Sequence, residues 1–265
     1  MTHSTILNLA AITLLIGPLA TFFRKNVKRD SMYWIAIVLA TLCSFGIAFS
    51  RVFGAWQVDF SSALWVTIAT VMIVFCIANI TNKTAWRLSP IICIYMSLLA
   101  ILALFSNKVP VASLDTAYST WVFFHIFTSL LTYSLVTIAA VSAVAAVLQE
   151  TALKTKRKGH IISLLPSLVD SDQLTKRYLV FGEIILGLGL LTGISINWIT
   201  EKVFLNFDHK TILTISAFLT IAIVLWIQQR TGLRGRQAAR IILVAYLLLT
   251  LGYLGVKFVT DVLLV

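Results

Sequence analysis

Eight continuous apolar runs dominate this chain, at Ile6 to Phe23, Met32 to Phe53, Ser61 to Ile80, Leu88 to Phe105, Trp121 to Leu148, Tyr178 to Ile199, Thr211 to Ile227 and Ala238 to Val259. A helix needs roughly 18 to 22 such residues to cross a hydrocarbon layer. Strands are excluded because the runs are continuous rather than alternating, and backbone exposed to lipid must satisfy its own hydrogen bonds. The fold expected is therefore all-α, a polytopic membrane bundle of about eight transmembrane helices. With 59% of 265 residues hydrophobic and 12% charged, no water-soluble core of this size takes up so much apolar surface. The short connections leave no room for an extramembrane catalytic domain, so residues 1–265 read as one transmembrane bundle.

Charge sets the orientation. Sixteen of the twenty-one Lys and Arg fall in the odd-numbered connections, among them Arg24, Lys28, Arg29, Lys154 to Lys158, Lys176, Arg234 and Arg236. By the positive-inside rule those connections face the cytoplasm and both termini face outward, in a multi-pass membrane protein. The formal charge of +11 accordingly reads as topology and attraction to anionic lipid, not to nucleic acid, which needs one continuous basic surface. The start carries no Lys or Arg before the first run, and Arg24 and Lys25 follow it; this is not the order of a cleaved signal, so the first run is expected to remain as a spanning helix. The longest cytoplasmic connection, Gln149 to Arg177, pairs a basic patch with an apolar stretch around Pro166 and is expected to lie along the membrane surface.

Chemistry must then sit inside or at the rim of the bundle. Cys43, Cys76 and Cys93 lie in apolar runs without metal-ligand spacing and read as buried small hydrophobes. On the fifth run His125, Thr128, Ser129, Thr132 and Tyr133 fall at helical spacings that place them on one face,. His125 stands near the outer end, where a neutral imidazole either ligates a metal or haem iron or hydrogen-bonds across the bundle. Trp56, Trp65, Trp121 and Trp198 gather at the outer side, as an interfacial belt or as walls for a flat aromatic cofactor,. His209 and Lys210 precede the seventh run, exposed or holding a carboxylate by charge. Glu183 stands alone in the sixth run; pairing with a basic residue of the inner connections is the expected arrangement, and a proton or cation relay the alternative. Gly189 and Gly193 form a GxxxG, a packing signal, and Gly232-Leu233-Arg234-Gly235-Arg236 is a compact turn suited to phosphate headgroups.

Several of these segments occur together in a known order. His125-Ile126-Phe127-Thr128-Ser129 with Tyr133, Leu165-Pro166-Ser167-Leu168 leading into Gly182, Leu190-Leu191-Thr192-Gly193, His209-Lys210, the turn Gly232 to Ala238 and the ending Tyr253-Leu254-Gly255 resemble the YpjD/HemX-like branch of the cytochrome c assembly protein family, with a family-like core over roughly residues 60–262. Relatives of the CcsA and CcmC kind handle haem for attachment to c-type cytochromes. The resemblance implies haem as cofactor, with His125 in the place of an outer haem-ligating histidine and Lys210 in the place of the lysine after a tryptophan-rich loop. That loop here keeps only Trp198, and Ser44 and Gln228 stand where many or some relatives have histidines. With the residues read above, the expected site comprises His125 as ligand to haem iron, with His209, Lys210, Trp121, Trp198 and Tyr133 around the cofactor, and with Trp65 as a further wall.

The function expected is a haem-binding or haem-handling membrane protein, auxiliary in cytochrome c biogenesis or tetrapyrrole regulation, and not an enzyme. Its partners would be membrane lipids, haem and proteins of those pathways. Two rivals belong to other classes: a small-solute or ion transporter using Glu183, and a regulatory membrane subunit whose basic connections dock a soluble partner.

Overall fold

A computed structural model of the chain describes residues 3–24, 27–52, 59–105, 120–156, 160–202, 204 and 208–263. These are almost wholly helical, without a strand among the described residues. The helices are α1 (His3–Ala20), α2 (Ser31–Val52), α3 (Phe60–Thr81), α4 (Ser89–Phe105), α5 (Thr120–Thr155), the single turn and a half of α6 (His160–Leu164), α7 (Leu168–Glu201), α8 (His209–Thr231) and α9 (Arg236–Thr250). Trp56, Lys25, Lys108, Arg157 and Lys158 lie outside the described residues.

Among the described residues, seven helical segments are long and apolar enough to cross a membrane; the expected first crossing is a shorter apolar helix, Asn8–Phe23. Pro18 stands in its last turns, and the chain tightens into a 3₁₀ turn over Thr21–Phe23, as a ring without an N–H and with a fixed φ favours. The last crossing also departs from regularity. After α9 the helix widens into π turns at Leu251–Gly255 and Val259–Leu263, with one α-helical turn between.

Two helices run far past the hydrocarbon. α5 has 36 residues and α7 has 34, about 50 Å each at 1.5 Å per residue. The connection Gln149 to Arg177 is thus largely made of the ends of α5 and α7, with the short α6 between them. Local chemistry explains the extension. Glu150 and Lys154 pair one turn apart at 2.5 Å on α5. After Pro166, the hydroxyl oxygen of Ser167 accepts the Asp170 backbone N–H at 3.1 Å and starts α7 ten residues before the apolar run,.

The contacts divide the chain into two compact units. In the first, α2 packs on α3 and α1 lies against α2 and α4. Its interior holds Tyr33, Leu64, Trp65, Met72 and Phe75, all fully buried. Buried hydroxyls there bond back to the preceding turn, as Thr41 does to the Ile37 carbonyl and Ser44 to that of Ala40, which removes the cost of polar groups among apolar neighbours. In the second unit α5 and α7 form the most extensive pairing, α9 packs on α5 and α8, and α7 on α8. α5 lends this unit a run of small and β-branched residues, Val136 to Ala146, nearly all buried.

Candidate functional site

The sharpest constellation lies in the second unit, where α5 meets α7. Gly189 and Gly193 leave two gaps on α7 one turn apart. A Cβ on Gly189 would meet Thr128 Oγ1 at 3.5 Å, and one on Gly193 would meet His125 Cε1 at 3.2 Å. The GxxxG is therefore a packing motif, as its type suggests, and what it seats is the polar face of α5.

Seated there, His125 places Nδ1 at 3.1 Å from the Gly189 carbonyl oxygen and at 3.1 Å from Thr192 Oγ1. The Thr192 hydroxyl gives its own proton to the same carbonyl, at 2.9 Å. A carbonyl oxygen only accepts, so the proton on the imidazole is assigned to Nδ1 by its partners. Nε2 is left with its lone pair and no hydrogen bond among the described residues. An imidazole whose one nitrogen donates to a backbone carbonyl while the other stays basic is the usual form of a metal-ligating histidine. The ring is half-buried. Thr128 and Ser129 share its face of the helix, but their hydroxyls bond to the His125 carbonyl oxygen at 3.0 and 2.7 Å.

Tyr133, two turns farther along α5, is buried in a different cluster. Tyr246 donates its hydroxyl proton to Tyr133 Oη at 3.0 Å, Thr137 donates to Tyr246 at 3.2 Å, and the rings of Tyr246 and Tyr253 lie 5.6 and 6.0 Å from that of Tyr133. It thus ties α5 to α9. Gly252 permits the matching approach of the π turn after α9 to α8, since a Cβ there would sit 3.3 Å from Leu213 Cβ.

The other expected site residues are less enclosed. Trp121 is half exposed, beside exposed Phe123, Phe124 and Phe127, a surface suited to lipid. Trp198 stacks on Phe204 with ring centres 4.4 Å apart. His209 and Lys210 form the exposed first turn of α8. Asp208 caps that turn, its carboxylate accepting the Thr211 N–H at 2.8 Å; the Thr211 hydroxyl and N–H together hold this carboxyl below its usual range,. No bond joins His209 or Lys210 to His125 among the described residues. Trp65 is fully buried within the first unit, its indole N–H without a partner there.

Glu183 departs from expectation. Both carboxylate oxygens are buried and neither has a partner among the described residues, so the expected pairing with a basic residue is not formed. The nearest basic residues on its own helix, Lys176 and Arg177, stand about two turns earlier, whereas Glu183 sits midway along α7 between Gly182, pressed on Val136, and Gly187, which faces Phe218 of α8. The residues that sequence reasoning missed are Gly189 and Thr192 as partners of the imidazole. Their signal was present in the Gly189, Thr192 and Gly193 spacing, which puts one acceptor and two gaps on a single face.

No cluster of three or more His, Cys, Asp or Glu that could hold a metal ion exists among the described residues. The protein is a multi-pass membrane protein whose crossing helices contact lipid. No solved structure matches it. A protein of Azospirillum brasilense described as an uncharacterized 28.8 kDa protein in the nifR3-like 5′ region is 41% identical over 237 residues, which cover 89% of this chain and 88% of that one. The family model described as cytochrome C assembly protein matches residues 2–264, and the chain belongs to that family.

Proposed function

We propose that this protein handles haem during cytochrome c assembly, with His125 Nε2 as the nitrogen that would hold the iron. It belongs in this reading to the YpjD/HemX-like branch, works as a carrier or assembly factor and not as an enzyme, and resides in a bacterial inner membrane. The observation that carries the reading is the commitment of Nδ1 to the Gly189 carbonyl and Thr192, which leaves Nε2 as the basic nitrogen. The donor set fits a porphyrin iron better than a bare metal ion, because one imidazole without a carboxylate or thiolate cluster is enough for haem when apolar contact supplies the rest,.

The His125 imidazole would hold the iron of a bound haem, and cationic side chains would hold its propionates. His125 holds the iron, and Thr192 and Gly189 fix the ring that does so. Lys210, exposed at the start of α8, would hold the propionates by charge, and its neighbour His209 would supply a further nitrogen to the iron. Trp121, Trp198 and the α5 face leading to Tyr133 are assigned to apolar contact with the macrocycle. The test is the absorption spectrum of purified protein incubated with haem. A Soret band near stoichiometric intensity that is lost in His125→Ala, lowered less in His209→Ala and weakened in Lys210→Ala supports the site. A wild-type spectrum in His125→Ala removes the site, and absence of haem uptake by the unaltered protein removes the function.

One observation favours a second reading. The unpartnered carboxylate of Glu183 suits a proton or cation relay in a small-solute transporter. Proton-coupled flux in proteoliposomes that disappears in Glu183→Gln would establish it; absence of flux would leave haem handling alone.

A further inference from the structure

Far from His125, the second unit encloses a cavity of about 140 Å³ against α5, α7, α8 and α9. Ala143 and Ala146 on α5 line it, 18 and 21 residues beyond His125, hence about 30 Å along the same helix at 1.5 Å per residue. The room comes from small residues, since Ala238 and Ala239 face it from α9. The turn between α8 and α9 closes one side. Gly232 and Gly235, at φ +67° and +68°, take backbone conformations that other residues rarely adopt, and they bring Arg234 to the rim.

The polar lining is neither self-satisfied nor of one sign. Lys176 and Asp172 stand one turn apart on α7, with Arg234 across from them on the turn. None of the three joins a close ion pair among the described residues, although Arg234 is near enough to act on Asp172 by charge. Gln228 of α8 also lines the cavity, and its Oε1 is buried without a hydrogen-bond donor. α9 begins at the cavity, and a helix start favours an anion. Its first N–H already follows this rule, because Arg236 donates it to the Glu150 carboxylate at 3.0 Å.

We propose that this cavity binds the headgroup of a phospholipid that carries a singly charged phosphate diester together with a hydroxyl or ammonium donor. The two cations, Lys176 and Arg234, hold the phosphate by charge-assisted hydrogen bonds. Asp172 and Gln228 accept from the hydroxyls or ammonium, which satisfies a buried acceptor that otherwise has no partner. A phosphate alone leaves Asp172 and Gln228 unmet, and a quaternary choline offers them no donor. The lipid source is favoured over a free phosphate ester because the cavity opens where polar helix ends meet the apolar runs, beside Val169, 63% exposed. Basic pockets between membrane helices bind headgroups in this manner.

Delipidated protein in a nonionic detergent is titrated with dioctanoyl phosphatidylglycerol, dioctanoyl phosphatidylcholine and glycerol 3-phosphate, and binding is read by native mass spectrometry. One phosphatidylglycerol should bind, with phosphatidylcholine weaker by about tenfold, the size of a lost hydrogen-bonded contact of about 1.4 kcal/mol. Lys176→Gln with Arg234→Gln should weaken phosphatidylglycerol by about tenfold or more. Gln228→Leu should narrow the difference between the two lipids while leaving phosphatidylcholine unchanged. Arg236→Gln with Arg240→Gln, outside the lining, should alter neither and so separates the site from bulk basic charge. Glycerol 3-phosphate binding as tightly as the lipid overturns the lipid source. Equal binding of both lipids, or phosphatidylglycerol binding unchanged in the Lys176 and Arg234 double variant with retained helical circular dichroism, overturns the proposal.

Discussion

The imidazole of His125 occupies the space that a side chain on Gly193 would take, since a Cβ there would stand 3.2 Å from His125 Cε1 and 3.6 Å from Nδ1. The orientation of the histidine is thus set twice, by hydrogen bonds on Nδ1 and by the bare backbone beneath its ring.

Adding bulk at that position should displace the ring. Gly193→Ala asks a neighbour to move a few tenths of an ångström, and Gly193→Val asks for more than the helix pair can give, at a cost of about 1–3 kcal/mol for overpacking. The expected outcome is a graded loss of haem uptake from wild type to Ala to Val, read by Soret absorbance, with helical circular dichroism retained. Full uptake in Gly193→Val would show that the ring need not stay where it lies.

Thr192→Val keeps the shape and removes one of the two acceptors of the His125 N–H. Loss of such a supporting hydrogen bond typically weakens a metal ligand by about 10- to 100-fold. Because the Gly189 carbonyl remains as acceptor, the lower figure is expected. Thr192→Ser should restore binding, and a titration with haem distinguishes the three proteins.

At the opposite end of α5, Gly235 has a φ of +68° and a Cβ added to it would lie 2.7 Å from Glu150 Oε2. Gly235→Ala should destabilise the protein by about 1–3 kcal/mol through backbone strain and the clash together. Combining it with Glu150→Ala should recover only the steric part, since the strain is independent of the partner. Thermal melts of the four proteins in one detergent measure the split.

The cap of α8 should be pH-dependent. The Thr211 hydroxyl and N–H depress the Asp208 carboxyl in the folded protein. A depressed carboxyl contributes stability that is complete above the unfolded pKa of about 3.9 and is lost as pH falls through the lower folded value. Asp208→Asn keeps a cap without titrating. The difference in melting temperature between wild type and Asp208→Asn should be constant near neutrality and shrink below about pH 4; a difference independent of pH would remove the carboxylate's role. Asp208→Ala should cost about 1 kcal/mol at neutral pH.

Topology is checked by fusions. A reporter after Val265 should read the outer compartment and one within residues 154–160 the cytoplasm, as the Lys and Arg distribution requires,. The reverse pattern would place His125 on the cytoplasmic side.

The crossing helices were legible because apolar runs and helical periodicity are local properties: α3 spans Phe60–Thr81 where Ser61 to Ile80 was expected. The reach of α5 and α7 was not, because the apolar run ends at Leu148 and the next begins at Tyr178, while the helices continue on a Glu150–Lys154 pair and a Ser167 cap. His125 stood out as a polar residue in an apolar run. Its partners, Gly189 and Thr192, lie over sixty residues away, and only the helix pairing brings them together. The solitude of Glu183 was visible; its lack of a partner depends on which side chains the surrounding helices carry.

α5 contains neither glycine nor proline from Thr120 to Thr155, so nothing along it supplies a soft joint. A tilt of 40°, near the upper end seen for membrane helices, would still leave this rod about 41 Å tall against a hydrocarbon layer of about 30 Å. It therefore stands proud of the lipid, and whatever grips the protruding end holds a stiff lever whose other end carries His125.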